Sequence, residues 1–160
     1  ISIYEKLKKI NSNIEFSSDF IIGYPEESDA DFKDTMDLIK KIKFTNSYSF
    51  VFSPRPGTVA AELDLVNKNK SKERLEIIQK ELFENQKKKN KSLENTSVNV
   101  LVENKMKDGI RFFGRTEHMT SVIFDGSIDD IGKIVQVEII GSNQNSLFGK
   151  LKRNYKQKVA

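Results

Sequence analysis

The 160-residue sequence contains no cysteine and no tryptophan, and its only histidine is His118. Disulfides, zinc ribbons and cysteine-ligated iron–sulfur clusters need thiolates, so none of them can be built from these residues. A single histidine likewise excludes a histidine-rich metal site. Only three prolines and eight glycines occur, which excludes collagenous and low-complexity chains. The remaining composition predicts a folded chain of one ordinary domain or two small ones.

Long apolar runs are missing as well. No stretch approaches the roughly 18 to 20 residues that a membrane-spanning helix needs. Residues 1–10 also lack the apolar core and cleavage site of a secretion signal. We therefore expect a cytoplasmic protein with no membrane partner. The chain begins with Ile1 rather than methionine, which suggests a fragment of a longer protein.

Positive charge is concentrated in the later part of the chain. The net charge is +4, and it divides into −3 for residues 1–64, +4 for residues 65–96 and +3 for residues 97–160. An acidic front and a basic back predict two units, and the back unit suits a polyanion such as nucleic acid. A basic segment is also typical of an ordinary solvated surface, so charge alone leaves both interpretations open.

The front of the chain has the pattern of a β-strand, a helix and a second strand. A short helix is predicted over residues 2–10, strands over 14–23 and 47–53, and between the strands a helix that begins at Ser28 with a capping box to Asp31. The consecutive apolar residues that end the first strand are typical of a strand covered on both faces. The two strands should run parallel. Since two strands are not stable alone, we expect them to belong to a larger α/β sheet or barrel.

Two loops at the carboxyl ends of these strands are candidate sites. In the first loop, Gly23 would let a ligand approach the backbone closely, and Glu26 could accept a hydrogen bond from a ribose or an amine. In the second loop, two prolines hold Arg55 in an extended backbone that suits recognition of a carboxylate or phosphate. The alternatives are an ordinary strand-to-helix turn for the first loop and a domain-exit linker for the second.

Three segments of this front part resemble a known family. The segments are DFIIGYPEES (19–28), DFKDTMDLI (31–39) and YSFVFSPRPGTVAAEL (48–63). They are similar to the last part of the radical S-adenosylmethionine α/β barrel in tRNA methylthiotransferases, most closely in members that act on N6-isopentenyladenosine at position 37 of tRNA. In the family pattern G-x-I-x-G-x-x-E, Asp19 replaces the first glycine, while Ile21, Gly23 and Glu26 match. The resemblance implies that the loop after Gly23 borders the S-adenosylmethionine site; a contact of Arg55 with cofactor or substrate is our hypothesis.

The resemblance also implies S-adenosylmethionine and two 4Fe–4S clusters as cofactors of a parent protein. The family holds its clusters on six cysteines, three of them in a CxxxCxxC motif, and this chain has none. We therefore assign no catalytic or metal-binding residue to the chain and expect it to be inactive alone. The missing N-terminal part of the same protein is then an expected partner.

A linking helix is predicted over residues 70–94, between a front domain at 1–69 and a last domain at 95–160. Its second half contains four lysines in the run QKKKNK (86–91). A basic helix could steer RNA, but such a run is more typical of a solvated helix end.

From residue 97 onward the hydrophobic pattern changes to period two. Five strands are predicted, over residues 98–103, 110–115, 120–125, 133–140 and 147–153. Turns are expected at 108–109, 125–126 and 141–143. Five short strands at this spacing predict a small closed or nearly closed β-barrel, so the chain as a whole is α/β followed by all-β.

This last part resembles the TRAM domain, a small OB-like RNA-binding barrel. The segments that carry the likeness are FFGRTEHMTSVIFDG (112–126), IGKIVQVEII (131–140) and SLFGKL (146–151). The resemblance implies RNA binding, and we expect the anticodon stem-loop of tRNA as the partner. The expected RNA contacts are Arg111, Phe112, Arg115, Thr116, His118, Lys150, Lys152 and Arg153.

Aromatic residues of the barrel could stack on unpaired bases. Because side chains alternate along a strand, Phe112 and Phe113 cannot both face the core, and one of them should be exposed. Phe124 and Phe148 are predicted to pack in the core, and His118 to lie in a surface loop.

The expected function is tRNA binding, together with one wall of the cofactor pocket, in a parent enzyme that makes the 2-methylthio derivative of N6-isopentenyladenosine. Two other functions stay open. The chain could be a stand-alone RNA-binding module with a degenerate barrel remnant, or part of a sibling methylthiotransferase that acts on a ribosomal protein. The SPRPGT run at 53–58 weighs against the sibling, because those enzymes usually differ there.

Overall fold

A computed structural model describes residues 1–152, which divide into two compact units. The first unit spans Ile1–Gln86, and the second begins at Lys87. In chain order the elements are α1 (Ser2–Ile10), β1 (Asp19–Ile22), α2 (Asp29–Ile42), β2 (Tyr48–Val51), α3 (Lys68–Ser92), β3 (Ser97–Lys105), β4 (Arg111–Arg115), β5 (Ser121–Asp125), β6 (Ile134–Ser142) and β7 (Leu147–Leu151). Every helix and strand predicted from the sequence is present. Among these residues, no helix is both long and apolar enough to cross a membrane.

The first unit contains the predicted parallel βαβ arrangement. Strands β1 and β2 pair in parallel along their whole length. Helix α2 begins with the predicted capping box, in which the Ser28 hydroxyl accepts from the backbone N–H of Asp31 and the Asp31 carboxylate accepts from the backbone N–H of Ser28. Helices α2 and α3 pack on the same face of the two strands. The core consists of Phe20, Ile22, Met36, Ile39, Phe44, Ile78 and Leu82.

The prediction that β1 is covered on both faces is wrong for this chain. Ile21 is 57% exposed, and its neighbours on β2, Tyr48 and Phe50, are 66% and 54% exposed. The reason is that both packed helices lie on the side of Phe20 and Ile22, and the described residues provide no layer for the other side.

The second unit is a closed five-stranded barrel, as the period-two pattern predicted. The strand order is β3-β4-β5-β7-β6, and β6 pairs with β3 to close the barrel. Strands β5 and β7 are parallel, and all other neighbours are antiparallel. One predicted turn is wrong: Gly141 and Ser142 belong to β6, and the chain reverses at 143–146. There the Asn143 side chain accepts hydrogen bonds from the backbone N–H groups of Asn145 and Ser146, which stabilise the turn.

Alternate residues of each barrel strand point inward and form one core. Its buried members are Val100, Val102, Phe112, Val122, Phe124, Val137, Ile139 and Leu147. The core position predicted for Phe124 is confirmed. Leu93, which follows α3, packs against this core and covers part of it.

Two inward-facing glycines let the strands approach each other. A Cβ atom built on Gly149 would lie 2.6 Å from the Glu138 carbonyl oxygen, and one built on Gly114 would lie 2.6 Å from Cγ1 of Val100. Both distances are shorter than van der Waals contact, so a larger residue would force the strands apart.

We expect Gly149→Ala to destabilise the barrel by about 1 to 3 kcal/mol, because the added methyl group overpacks a closed structure. Native-state hydrogen exchange of the barrel amides measures this free energy. Gly141→Ala is the matched control on the same strand pair, because its Cβ would meet no atom within 4 Å. A comparable loss of protection in both variants would contradict the steric explanation.

Candidate nucleic-acid interface and strand-end pocket

The outer surface of β4, β5 and β7 carries a row of apolar side chains. In β4, the alternation that buries Phe112 places Phe113 on the outside. The strand register sets Phe113 opposite Ile123 on β5, and Ile123 opposite Phe148 on β7. All three side chains are half-buried. We call Phe113, Ile123 and Phe148 the aromatic row.

Cationic side chains lie on both sides of the aromatic row. On one side is Arg115, which pairs with Ser121 in the register of β4 and β5. On the other side the register aligns Arg111, Asp125 and Lys150 across the three strands. A stacking surface flanked by cations is the arrangement that single-stranded nucleic acids bind, although the Asp125 carboxylate reduces the positive potential on its side.

Arg115 is held in place but remains accessible. Its guanidinium carbon lies 5.5 Å from the centre of the Phe113 ring, and its Nε atom lies 3.7 Å from Oε1 of Glu103. The first contact is a cation–π interaction and the second is a partly exposed ion pair. A phosphate could therefore reach Arg115 without unfolding any part of the barrel.

Arg111 also has a structural role in the β3–β4 turn. The Asp108 carboxylate accepts hydrogen bonds from the backbone N–H groups of Arg111 (2.9 Å) and Ile110 (3.0 Å), and it forms an ion pair with the Arg111 side chain. The two backbone hydrogen bonds, followed by the one from the Arg111 side chain, lower the pKa of Asp108 to about 2. The charge of Arg111 is thus partly neutralised within the turn.

Two of the expected RNA contacts are turned inward. Phe112 is only 3% exposed in the barrel core, so its expected stacking on bases is wrong, and Phe113 is the exposed member of the pair. Thr116 is buried as well: its hydroxyl accepts from the backbone N–H of Thr120, and its own N–H donates to the Thr120 carbonyl. Thr116 therefore closes the β4–β5 turn. The alternation of β4 and the hydrogen-bonding demands of a tight turn explain both corrections.

The other expected contacts lie at the surface or outside the described residues. His118 lies in the β4–β5 turn, half-buried, with Nδ1 4.0 Å from the Glu117 carboxylate. Lys150 and Lys152 are exposed. Arg153 lies outside the described residues.

Phe148 was predicted to be in the core, and that prediction is wrong. Leu147 and Gly149 are the buried residues of β7, so Phe148 and Lys150 face outward. Strict period-two alternation could have shown this, since Leu147 and Gly149 are two residues apart. The pattern is hard to recognise in the sequence because the inward position 149 is a glycine rather than an apolar side chain.

The end of α3 holds the β6–β7 loop. Asn90 is completely buried, and its Nδ2 group donates hydrogen bonds to the carbonyl oxygens of Asn143 (2.8 Å) and Gln144 (3.1 Å). Nearby, the Glu94 carboxylate accepts from the Ser142 hydroxyl at 2.7 Å. The lysine run therefore contains one residue that anchors a loop, which the sequence did not reveal.

In the first unit a pocket opens at the carboxyl ends of β1 and β2. Its volume is about 230 Å³, and it is lined by Gly23, Val51, Phe52, Pro54, Leu65, Val66, Lys68 and Ser71. Of the residues predicted for this region, the pocket contains Gly23. Glu26 and Arg55 are exposed and do not line it. The pocket is smaller than the roughly 300 to 1,000 Å³ that usually encloses a small-molecule ligand.

Gly23 is required for packing against α3. Its φ of +71° is left-handed, and a Cβ built there would lie 2.7 Å from Cβ of Ser71 on α3. Ser71 occupies the place that a side chain on Gly23 would take, and both residues line the pocket. The Gly23 N–H is also engaged, because it donates to Oε2 of Glu27 at 2.7 Å.

A buried ion pair holds this loop in place. Nη1 of Arg74 lies 2.8 Å from Oε2 of Glu27, and Nη2 lies 2.6 Å from Oδ1 of Asp29. The Arg74 side chain is only 4% exposed and lies over the Phe32 ring. Hydrogen bonds from Lys70 and then from Arg74 lower the pKa of Asp29.

The sequence contains a signal for this pair that was missed. Four buried residues of α3 follow one another at helical spacing: Ser71, Arg74, Ile78 and Leu82. A charged residue in phase with an apolar stripe must find a partner inside the protein.

The chain itself does not supply an iron–sulfur site. Cysteine is absent from the sequence. Within residues 1–152, no three His, Asp or Glu side chains come together as a metal-binding group. Any cluster of a larger protein would need ligands from elsewhere.

Comparison with known proteins gives consistent matches. The model of the TRAM domain family matches residues 91–152. The chain is 75% identical over 158 residues to the tRNA-2-methylthio-N(6)-dimethylallyladenosine synthase of Pelagibacter ubique (strain HTCC1062), covering 99% of the chain and 35% of that protein. It is 45% identical over 147 residues to the Ruthia magnifica synthase of the same name, covering 91% of the chain and 33% of that protein. It is 42% identical over 158 residues to the Yersinia pestis synthase, covering 98% of the chain and 33% of that protein. The chain therefore spans about a third of the length of these relatives.

We expect Arg74→Leu to destabilise the first unit by about 3 kcal/mol or more, because it leaves the buried Glu27 carboxylate without its cationic partner. Hydrogen exchange of the β1 and α2 amides measures the loss. Combining it with Glu27→Leu should restore part of the stability. Lys70→Met, which removes a partly exposed ion pair with Asp29, is the control and should cost less than about 1 kcal/mol. An equally small effect of Arg74→Leu would show that the buried pair does not hold the loop.

Proposed function

We propose that this chain is part of an enzyme that makes the 2-methylthio derivative of N6-isopentenyladenosine at position 37 of tRNA. The proposal follows from its similarity to the tRNA methylthiotransferases and from the TRAM domain over residues 91–152. The observation that carries the proposal is the 75% identity, over 99% of the chain, to a synthase named for this product. The anticodon stem-loop is the proposed RNA partner.

The barrel is proposed to bind the RNA. Support comes from the partly exposed Arg115 and the exposed Lys150 on the two sides of the aromatic row. Lys152 extends the positive surface beyond β7. Because phosphate contacts supply most of the non-specific affinity for nucleic acids, these residues are expected to determine how strongly binding depends on salt.

The first unit is proposed to form one wall of an S-adenosylmethionine pocket in the complete enzyme. The pocket at the ends of β1 and β2 is in the place where α/β proteins bind ligands, and its small volume fits one wall rather than a whole site. Glu26 and Arg55 would join this wall only if the rest of the enzyme brings the cofactor to their exposed loops. The exposed Ile21, Tyr48 and Phe50 then provide an apolar face for the neighbouring part of the larger protein.

S-adenosylmethionine and two 4Fe–4S clusters are the proposed cofactors of the complete enzyme, and together they would supply the radical chemistry, the sulfur and the methyl group. The residues of this chain do not fit the clusters, because they include no cysteine. The proposed tasks of this chain are therefore to hold the RNA and to shape one side of the cofactor pocket.

We expect deletion of the gene to remove the 2-methylthio nucleoside from tRNA and to leave N6-isopentenyladenosine in its place, because the proposed enzyme acts on that nucleoside. Mass spectrometry of tRNA hydrolysates from the deletion strain measures both, and the complete gene should restore the modification. Unchanged tRNA together with loss of a ribosomal-protein modification would instead identify the sibling enzyme. Unchanged tRNA and ribosomal proteins would favour a stand-alone RNA-binding module.

RNA binding by the 160-residue chain should weaken steeply between about 50 and 200 mM salt, because each phosphate contact releases counterions. Arg115→Ala and Lys150→Ala should each reduce the slope of log affinity against log salt by about 1, measured with a labelled anticodon stem-loop. Lys33→Ala is the control, since Lys33 is an exposed lysine of α2 that pairs with Asp37. A flat salt response at measurable affinity would contradict the proposed RNA surface.

A further inference from the structure

We propose that the aromatic row is a stacking site for an unpaired RNA base, with Phe148 as its open surface. This inference rests on the proposed RNA binding and goes beyond it, because it identifies the site and the kind of nucleotide that the site takes. Phosphate contacts alone would hold paired and unpaired RNA alike, whereas a stacking site takes bases that have left the helix.

The first argument is that the rings of the row do not contribute to the barrel core. The buried core contains neither Phe113 nor Phe148, and both rings lie on the outer surface. Across the three strands the row is about 10 Å long, given the spacing of about 4.8 Å between neighbouring strands. Two phenylalanines joined by an isoleucine in one outward row form a continuous apolar surface that water solvates poorly.

The second argument is that the two ends of the row differ. The Phe113 ring has the Arg115 guanidinium over it. Phe148 is different: among residues 1–152, no aromatic ring or guanidinium lies on it. Its neighbour on β6 is Gly141, which has no side chain, and a Cβ built there would meet no atom within 4 Å. The space next to Gly141, the neighbour of Phe148 in the register, is therefore open to a flat ligand.

The third argument is the position of the cations. Lys150 follows Phe148 by two residues on the same face of β7, which places their Cα atoms about 6.6 Å apart along the strand. Arg115 lies on the opposite side of the row. A base on Phe148 would thus have Lys150 beside it for one flanking phosphate, and Arg115, at the Phe113 end of the row, could contact a phosphate farther along the RNA. Asp125 lies next to Lys150 in the register and opposes anion binding there, so stacking must provide part of the affinity.

A tryptophan reporter tests this site directly, because the chain contains no tryptophan. Phe148→Trp should give fluorescence that is quenched at least about twofold when the full chain binds an anticodon stem-loop, because a stacked base quenches indole emission. A fully paired RNA duplex should quench it little. Ile134→Trp is the matched control: Ile134 is 71% exposed on β6, outside the aromatic row, and its reporter should not respond.

A second variant distinguishes stacking by the aromatic ring from the effect of apolar volume at position 148. Phe148→Leu keeps an apolar side chain but removes the aromatic face, so affinity for the stem-loop should fall about tenfold. The slope of log affinity against log salt should stay unchanged, since no charge is removed. Native-state hydrogen exchange of the barrel should match that of the unsubstituted chain, which shows that folding is retained.

The outcomes distinguish this inference from the proposed RNA binding. Salt-dependent binding with no quenching at position 148, or with equal quenching by stem-loop and duplex, would overturn the stacking site and leave RNA binding in place. Unchanged stem-loop affinity in Phe148→Leu would overturn it as well. Absence of binding to either RNA at low salt would overturn the proposed RNA binding itself, and the stacking site with it.

Discussion

The parallel pairing of β5 and β7 is the constraint on which the functional surface depends. It joins the β4–β5 pair to the β6–β7 pair and, at the same time, brings Phe148 beside Ile123 and Lys150 beside Asp125. Without it, the β4–β5 hairpin would present a shorter apolar patch with cations from one strand only. Close packing also holds β7 against β6, because Gly149 lets the backbones of these two strands approach each other. Barrel stability and the proposed RNA surface therefore depend on the same strand.

The two units are stabilised by different kinds of interaction. The barrel core consists of one regular set of apolar side chains. The first unit has a smaller sheet, and it uses the buried Arg74 to tie the loop after β1 to α3. A buried ion pair can add little net stability, but removing one of its partners leaves an uncompensated buried charge. This contact fixes the shape of the strand-end loop.

Much of the fold could be predicted because its signals are local. Period-two alternation identified the barrel strands and showed that Phe112 and Phe113 face opposite sides, and the Ser28 capping box identified the start of α2. Site predictions were weaker. Phe112 and Thr116 have residue types that suit RNA contact, but both are buried. Residue type reports what a side chain is able to do, whereas exposure depends on neighbours that are distant in the sequence.

Taken by itself, the amino-acid sequence determined the helices, the strands, the missing cluster ligands and the basic character of the later part, since all of these follow from composition and short-range spacing. Only the tertiary structure decided that Ser71 fills the space beside Gly23, that Arg74 meets Glu27 and that Phe148 joins an outward row. The physical reason is that these contacts join residues far apart along the chain, and their geometry exists only after the strands and helices have packed.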